Sequence, residues 1–134
     1  MHRTVCIASF AALLLFSVAP SFGHDLTFTV RKGQIVTMGP WYHMVYPYPP
    51  CRMVEVPRIV TMTKPEHGSV DTQQSRGKPA SPQQIKSCPN LTLTRINAIY
   101  KADQAGTEKF SFMIEYNPPI QGDWIYNVTV QVVE

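Results

Sequence analysis

The 134-residue chain has little charge: 12 Lys+Arg and 9 Asp+Glu make up 16% of it, a formal +3 at pH 7. So small and scattered an excess argues against nucleic acid as the main partner, because phosphates are held by clustered cations. A disordered chain is disfavoured too, since 44% of the residues are hydrophobic and low charge leaves little repulsion to oppose collapse. Seven glycines stand against 12 prolines, and no convincing helical pattern replaces them. Gly-x-Ser-x-Gly, His-Glu-x-x-His and P-loop patterns are all missing, so the chain lacks the common layouts of nucleophile, metal and phosphate chemistry. A non-catalytic protein of one domain is expected.

What is present first is an address. A short polar start with His2 and Arg3 precedes the apolar run Val5 to Phe16, and Ser21 and Gly23 then sit at the −3 and −1 positions of a cut after Gly23. That small-x-small arrangement reads residues 1–23 as a secretory signal peptide. The run is too short to cross roughly 30 Å of hydrocarbon, and no later stretch reaches spanning length, so no transmembrane segment is expected after cleavage. The expected location is periplasmic or secreted, with residues 24–134 as the folded domain. Cys6 leaves with the signal, and Cys51 and Cys88 remain. An even pair in an exported chain reads as one disulfide, closing a loop that the chain-entropy model values at roughly 4 kcal/mol.

Two segments alternate cleanly between apolar and polar residues. Trp124, Tyr126, Val128, Val130 and Val132 share one face, as do Phe110, Phe112, Ile114 and Tyr116. Period two marks half-buried strands, and the Asn117–Asp123 stretch has the turn chemistry of a hairpin. Leu26, Phe28 and Val30 form a weaker strand before a turn at Arg31-Lys-Gly33, and Gln34–Met38 follows. Arg52–Thr63 reads as one long or two short strands, because Pro57 removes a ladder donor. Leu91 and Leu93 are out of phase with Ile96, Ala98 and Tyr100, which predicts a bulge near Arg95. Asp71–Ser87 is polar and broken by Gly77, Pro79 and Pro82, and reads as a mobile loop. About seven short strands predict an all-β, antiparallel two-sheet sandwich. Its expected core is Phe28, Val30, Phe110, Phe112, Ile114, Trp124, Tyr126, Val128 and Val130.

Two stretches carry a resemblance. Ile59-Val-Thr-Met-Thr-Lys-Pro-Glu-His-Gly-Ser-Val70, and Tyr100-Lys-Ala followed by Gly106-Thr-Glu-Lys-Phe-Ser-Phe-Met-Ile114, resemble the strand-turn-strand opening and aromatic corner of bacterial immunoglobulin-like and cadherin-like repeats. The match covers roughly residues 58–116. It implies an immunoglobulin-like sandwich with Phe110 and Phe112 in the core, and says little about function. Three features depart from the family: a single copy with its own signal, Glu108 where relatives carry Asp, and the Cys51/Cys88 pair. With no Asp after the aromatic strand, a calcium site is not implied.

The most unusual segment is Gly39-Pro-Trp-Tyr-His-Met-Val-Tyr-Pro-Tyr-Pro-Pro-Cys51. Rigid rings bind partners at low entropy cost, so Trp41, Tyr42, Tyr46 and Tyr48 are candidate contacts for an envelope protein or glycan. The competing reading is a structured loop, pinned by Cys51, whose rings cover one open end of the sandwich. No cofactor is expected on the main reading. An alternative is copper: after cleavage, the amine and imidazole of His24 resemble the histidine brace of periplasmic copper carriers and monooxygenases. His43 or His67 would complete that set, with Met38, Met44, Met53 and Met62 as soft donors. His67 otherwise reads as a turn residue, and alternating methionines as core filler. Asn90-Leu-Thr92 and Asn127-Val-Thr129 match the glycan-acceptor pattern, which weighs little on a bacterial-looking domain.

Overall fold

The computed structural model describes residues 23–45 and 51–134. The expected signal peptide lies outside them except for Gly23. Among the described residues are nine strands: β1 His24–Arg31, β2 Ile35–Trp41, β3 Met44–Val45, β4 Arg52–Met53, β5 Arg58–Thr63, β6 Ser69–Gly77, β7 Leu93–Lys101, β8 Gly106–Glu115 and β9 Ile125–Val133. One short helix, α1 Pro82–Ser87, lies between β6 and β7. The strands form a sheet ordered β1-β9-β8-β5, a second ordered β2-β7-β6, and a small ribbon β3-β4. Pro57 is fully buried between β4 and β5, and Arg52–Thr63 is indeed two strands.

Alternation places the core between the two larger sheets. Val36, Met38 and Trp41 of β2 and Ile96, Ala98 and Tyr100 of β7 face Phe110, Phe112 and Ile114 of β8 and Val128, Val130 and Val132 of β9, all buried in one cluster. Tyr100 stacks on Phe110 with ring centroids 5.1 Å apart, and Trp41 meets Phe112 edge-on at 5.5 Å. Each such ring removed from water contributes about 1.5–3 kcal/mol. The expected residues Phe28, Val30, Trp124 and Tyr126 pack around this cluster as partly buried neighbours.

Four expectations are corrected. First, β1 pairs with β9 in parallel, from His24↔Tyr126 to Arg31↔Val133, so the sandwich is not wholly antiparallel. The tight connection 32–34 carries the chain across to the other sheet instead of closing a hairpin, and the first and last strands are far enough apart in sequence to run side by side. Second, the bulge lies in β2 and not near Arg95. β6 and β7 pair without interruption from Ser69↔Lys101 to Gly77↔Leu93, whereas β2 shifts register between Met38↔Ala98 and Trp41↔Ile96. Gly39 supplies the turn there, with φ +112 and a following cis bond to Pro40. Leu93 and Ile96 then point to opposite faces, and Leu93 is buried outside the main cluster.

Third, the polar stretch 71–87 is ordered, as most of β6 and all of α1. β6 is an edge strand with nine residues in register against buried β7, so main-chain bonding fixes it, and polar side chains suit an edge open to water. Helix α1 starts with Ser81 as N-cap and Pro82 in its first turn and buries no residue, so no apolar period announces it. Fourth, Met53 and Met62 are exposed, whereas Met38 is core.

Register also sorts the connections. At one end of the sandwich lie three tight ones: 32–34, 64–68 and 102–105. At the other lie the described parts of 42–57, together with 78–92 and 116–124.

Candidate functional site

The end carrying the long connections is built outward from the core. Trp41 closes β2 with its ring only 9% exposed. Its indole N–H donates to Tyr126 Oη at 3.1 Å, and the ring meets Tyr126 edge-on at 5.2 Å. The register shift in β2 turns this ring inward, so Trp41, a candidate partner contact by sequence, is a core residue. Tyr42 is half-buried; its Oη donates to Gln84 Oε1 at 2.6 Å and accepts from the Ala80 N–H at 2.9 Å. Both bonds tie the 42–57 connection to the 78–92 connection around α1. Tyr46 and Tyr48 fall outside the described residues.

A covalent tie reinforces the Tyr42 contacts. Cys51 and Cys88 are bonded, with Cα atoms 5.9 Å apart, as the cysteine count predicted. The β3–β4 ribbon beside Cys51 is held by Val54 N–H donating to His43 O at 2.9 Å, and Thr94 N–H reaches Met53 Sδ at 3.2 Å.

The β8–β9 hairpin completes this end. Tyr116 is 8% exposed and lies between His43, edge-on at 5.5 Å, and Trp124 at 4.8 Å. Burial, with smaller contributions from Tyr126 and Tyr42, pushes its phenol up to about 12; it is a neutral packing group. Trp124 Nε1–H donates to Ile120 O at 2.9 Å, and His24 Nε2 donates to Asp123 O at 2.8 Å while its ring stacks on Tyr126. Beside the hairpin is a cleft of about 500 Å³ lined by Glu55, Val56, Arg58, Glu115, Tyr116, Asn117 and Pro119. Asn117 Nδ2 donates to Glu55 Oε2 at 2.8 Å, and Arg58 pairs with Glu115 in the open. Ile120 and Met53 are exposed large apolar side chains at the same end. The sequence reading joined the 78–92 connection to this surface through Cys51–Cys88 but did not assign 116–124 to it; the prolines there were the available signal.

The alternative metal set is not gathered into a ready cluster. Among the described residues no group of three or more His, Cys, Asp and Glu is placed to hold a metal ion. His24 bonds Asp123 O, His43 faces Tyr116, and His67 lies at the opposite end against Glu108, its Nδ1 3.2 Å from Oε1. Among the described residues no helix is long and apolar enough to cross a membrane.

No family model and no curated protein matches the chain. Among solved structures it is similar to the solution structure of Amebosin, at 13% identity over 83% of this chain and 98% of that chain, with a TM-score of 0.43. Nothing is transferred from a likeness that distant.

Proposed function

We propose that the protein is an exported, non-catalytic binding or scaffold module, periplasmic or secreted, that holds an envelope protein or glycan with the long-connection end of an immunoglobulin-like sandwich. The observation that carries this reading is the gathering of connections 42–57, 78–92 and 116–124 at one end, two of them joined by Cys51–Cys88. Long connections on a rigid scaffold are where recognition residues concentrate. The strand orders support the immunoglobulin-like part. β2-β7-β6 and β9-β8-β5 correspond to the B-E-D and G-F-C strands of that fold, with β1 on the G edge and β3-β4 as an insertion.

Trp41 belongs to the core on this reading, and recognition moves to Tyr46, Tyr48, Asn117 and Ile120. The experiment is chemical cross-linking of the exported protein in its native envelope or medium, followed by mapping of the linked peptides. Links concentrated in 42–57 and 116–124, and at least tenfold weaker capture by a Tyr46→Ala/Tyr48→Ala/Ile120→Ser variant with unchanged circular dichroism, are expected. Links that map to 32–34, 64–68 and 102–105 would overturn the assignment.

A further inference from the structure

We infer that Asn90 is a glycan-acceptor site and that Asn127, which carries the same Asn-x-Thr pattern, is not. This rests on the export reading and on no particular partner. Asn90-Leu-Thr92 occupies the short irregular stretch between α1 and β7, where Asn90 and Thr92 are both exposed. A bond from Leu91 N–H to Cys88 O at 3.2 Å turns the chain there, and among the described residues nothing hydrogen-bonds the Asn90 side-chain amide. A sugar on that nitrogen extends into water and displaces no protein contact.

Asn127-Val-Thr129 has the opposite setting. It lies within β9, paired to Asp25 of β1 on one side and to Ser111 of β8 on the other. Asn127 is half-buried as a residue, and its Nδ2 donates toward Asp25 Oδ1 at 3.4 Å across the exposed face of the sheet. A glycan on Asn127 must stand on the middle of a sheet and break that contact. The acceptor pattern specifies a surface loop in an exported chain, and of the two copies only the one at Asn90 is in a loop.

The donor is a lipid-linked oligosaccharide diphosphate of the export compartment. Asn90 Nδ2 attacks C1 of the first sugar, the N–C1 bond forms, and the C1–O bond to the diphosphate breaks. The lipid diphosphate leaves with the electron pair, and one amide proton passes to the transferring enzyme. Nothing is oxidised or reduced. The product lies beside the Cys51–Cys88 bridge, where a shallow depression of about 280 Å³ is lined by Cys51, Ser87, Cys88, Pro89, Asn90 and Leu91.

The test is intact-mass analysis of the full protein recovered after export from its own cells, with the amino terminus sequenced in parallel. A mass above that of the polypeptide is expected, removed by a peptide-N-glycosidase that leaves Asp at position 90. Complete loss of the excess is expected in both Asn90→Gln and Thr92→Ala, and full retention in Asn127→Gln. Thr92→Ala removes the pattern without touching Asn90, so agreement of the two variants separates glycan loss from a local folding effect. Cleaved protein with the bare polypeptide mass would overturn the acceptor alone, and so would an excess that tracks Asn127. A chain still carrying residues 1–23 would overturn export and the acceptor with it.

Discussion

The two ends of the sandwich are closed by different means. At the turn end, connections of three, five and four residues are held largely by backbone bonds to neighbouring strands and connections. Lys32 N–H bonds Val133 O at 2.8 Å, Gly33 N–H bonds Ala102 O at 2.7 Å, and Ala102 N–H bonds Gln34 O at 3.1 Å. Gly68 has φ +83, and a Cβ there would meet Lys101 O at 2.5 Å, so the chain passes closely enough to exclude any side chain. At the long-connection end the ties are side chains distant in sequence: Trp41 to Tyr126, Tyr42 to Gln84, and Cys51 to Cys88. The turn end is thus fixed by backbone bonds between its connections and by the buried Glu108 carboxylate, whereas the other end is fixed by packing and a covalent bond. That difference is what a scaffold with one recognition end requires.

The largest expected effect tests whether the long-connection end is anchored in the core. Trp41→Ala removes a buried ring that touches Phe112 and Tyr126 and leaves Tyr126 Oη without its donor. A cost of about 3–5 kcal/mol is expected, read as a lower urea midpoint with an unchanged slope. A cost below about 1 kcal/mol would mean that the ring is a surface group, and would restore it as a partner contact.

Next comes the covalent tie. Replacing Cys51 and Cys88 together by Ser should cost about 2–5 kcal/mol, because the link spans 37 residues of sequence and restricts the unfolded chain. Hydrogen exchange should show where that cost falls. Amides in 52–54 and 84–91 should lose protection, while those of Lys32, Gly33 and Ala102 keep theirs relative to global unfolding. Equal loss at both ends would erase the distinction between them.

What the sequence revealed follows the same division. β8 and β9 were legible because each has one face in the core and one outside, and alternation records that directly. The disulfide was legible from the parity of cysteines in a chain read as exported. β6 was not, because after Val70 its side chains are polar on both faces and its order comes from pairing with β7, a long-range property. α1 was hidden for a related reason: six residues with nothing buried leave no apolar stripe. Trp41 was misassigned because its direction depends on the register shift beside Gly39 and Pro40, whereas the surrounding prolines and tyrosines read locally as an exposed aromatic loop. The candidate end was therefore only partly legible: the 42–57 segment stood out and the cysteine pair joined it to 78–92, but their union with 116–124 required the fold.

The smallest expected effect belongs to the turn end and tests its independence. Glu108 is 3% exposed on β8, and its two oxygens accept the Glu66 N–H at 3.0 Å and the His67 N–H at 2.8 Å. The Glu108 carboxylate thus ties the 64–68 connection down. Glu108→Ala leaves two backbone donors without their acceptor and should cost about 1–3 kcal/mol, with the lower half favoured because Glu66 and His67 are exposed and water reaches them. Glu108→Gln should recover little, since its amide supplies one acceptor oxygen and turns a donor toward the second N–H. Denaturation of both variants measures the cost, and capture at the opposite end measures the coupling. Unchanged capture is expected, because no described contact links Glu108 to connections 42–57, 78–92 or 116–124. A fall in capture matching that of the Tyr46/Tyr48/Ile120 variant would show that the two ends act as one unit.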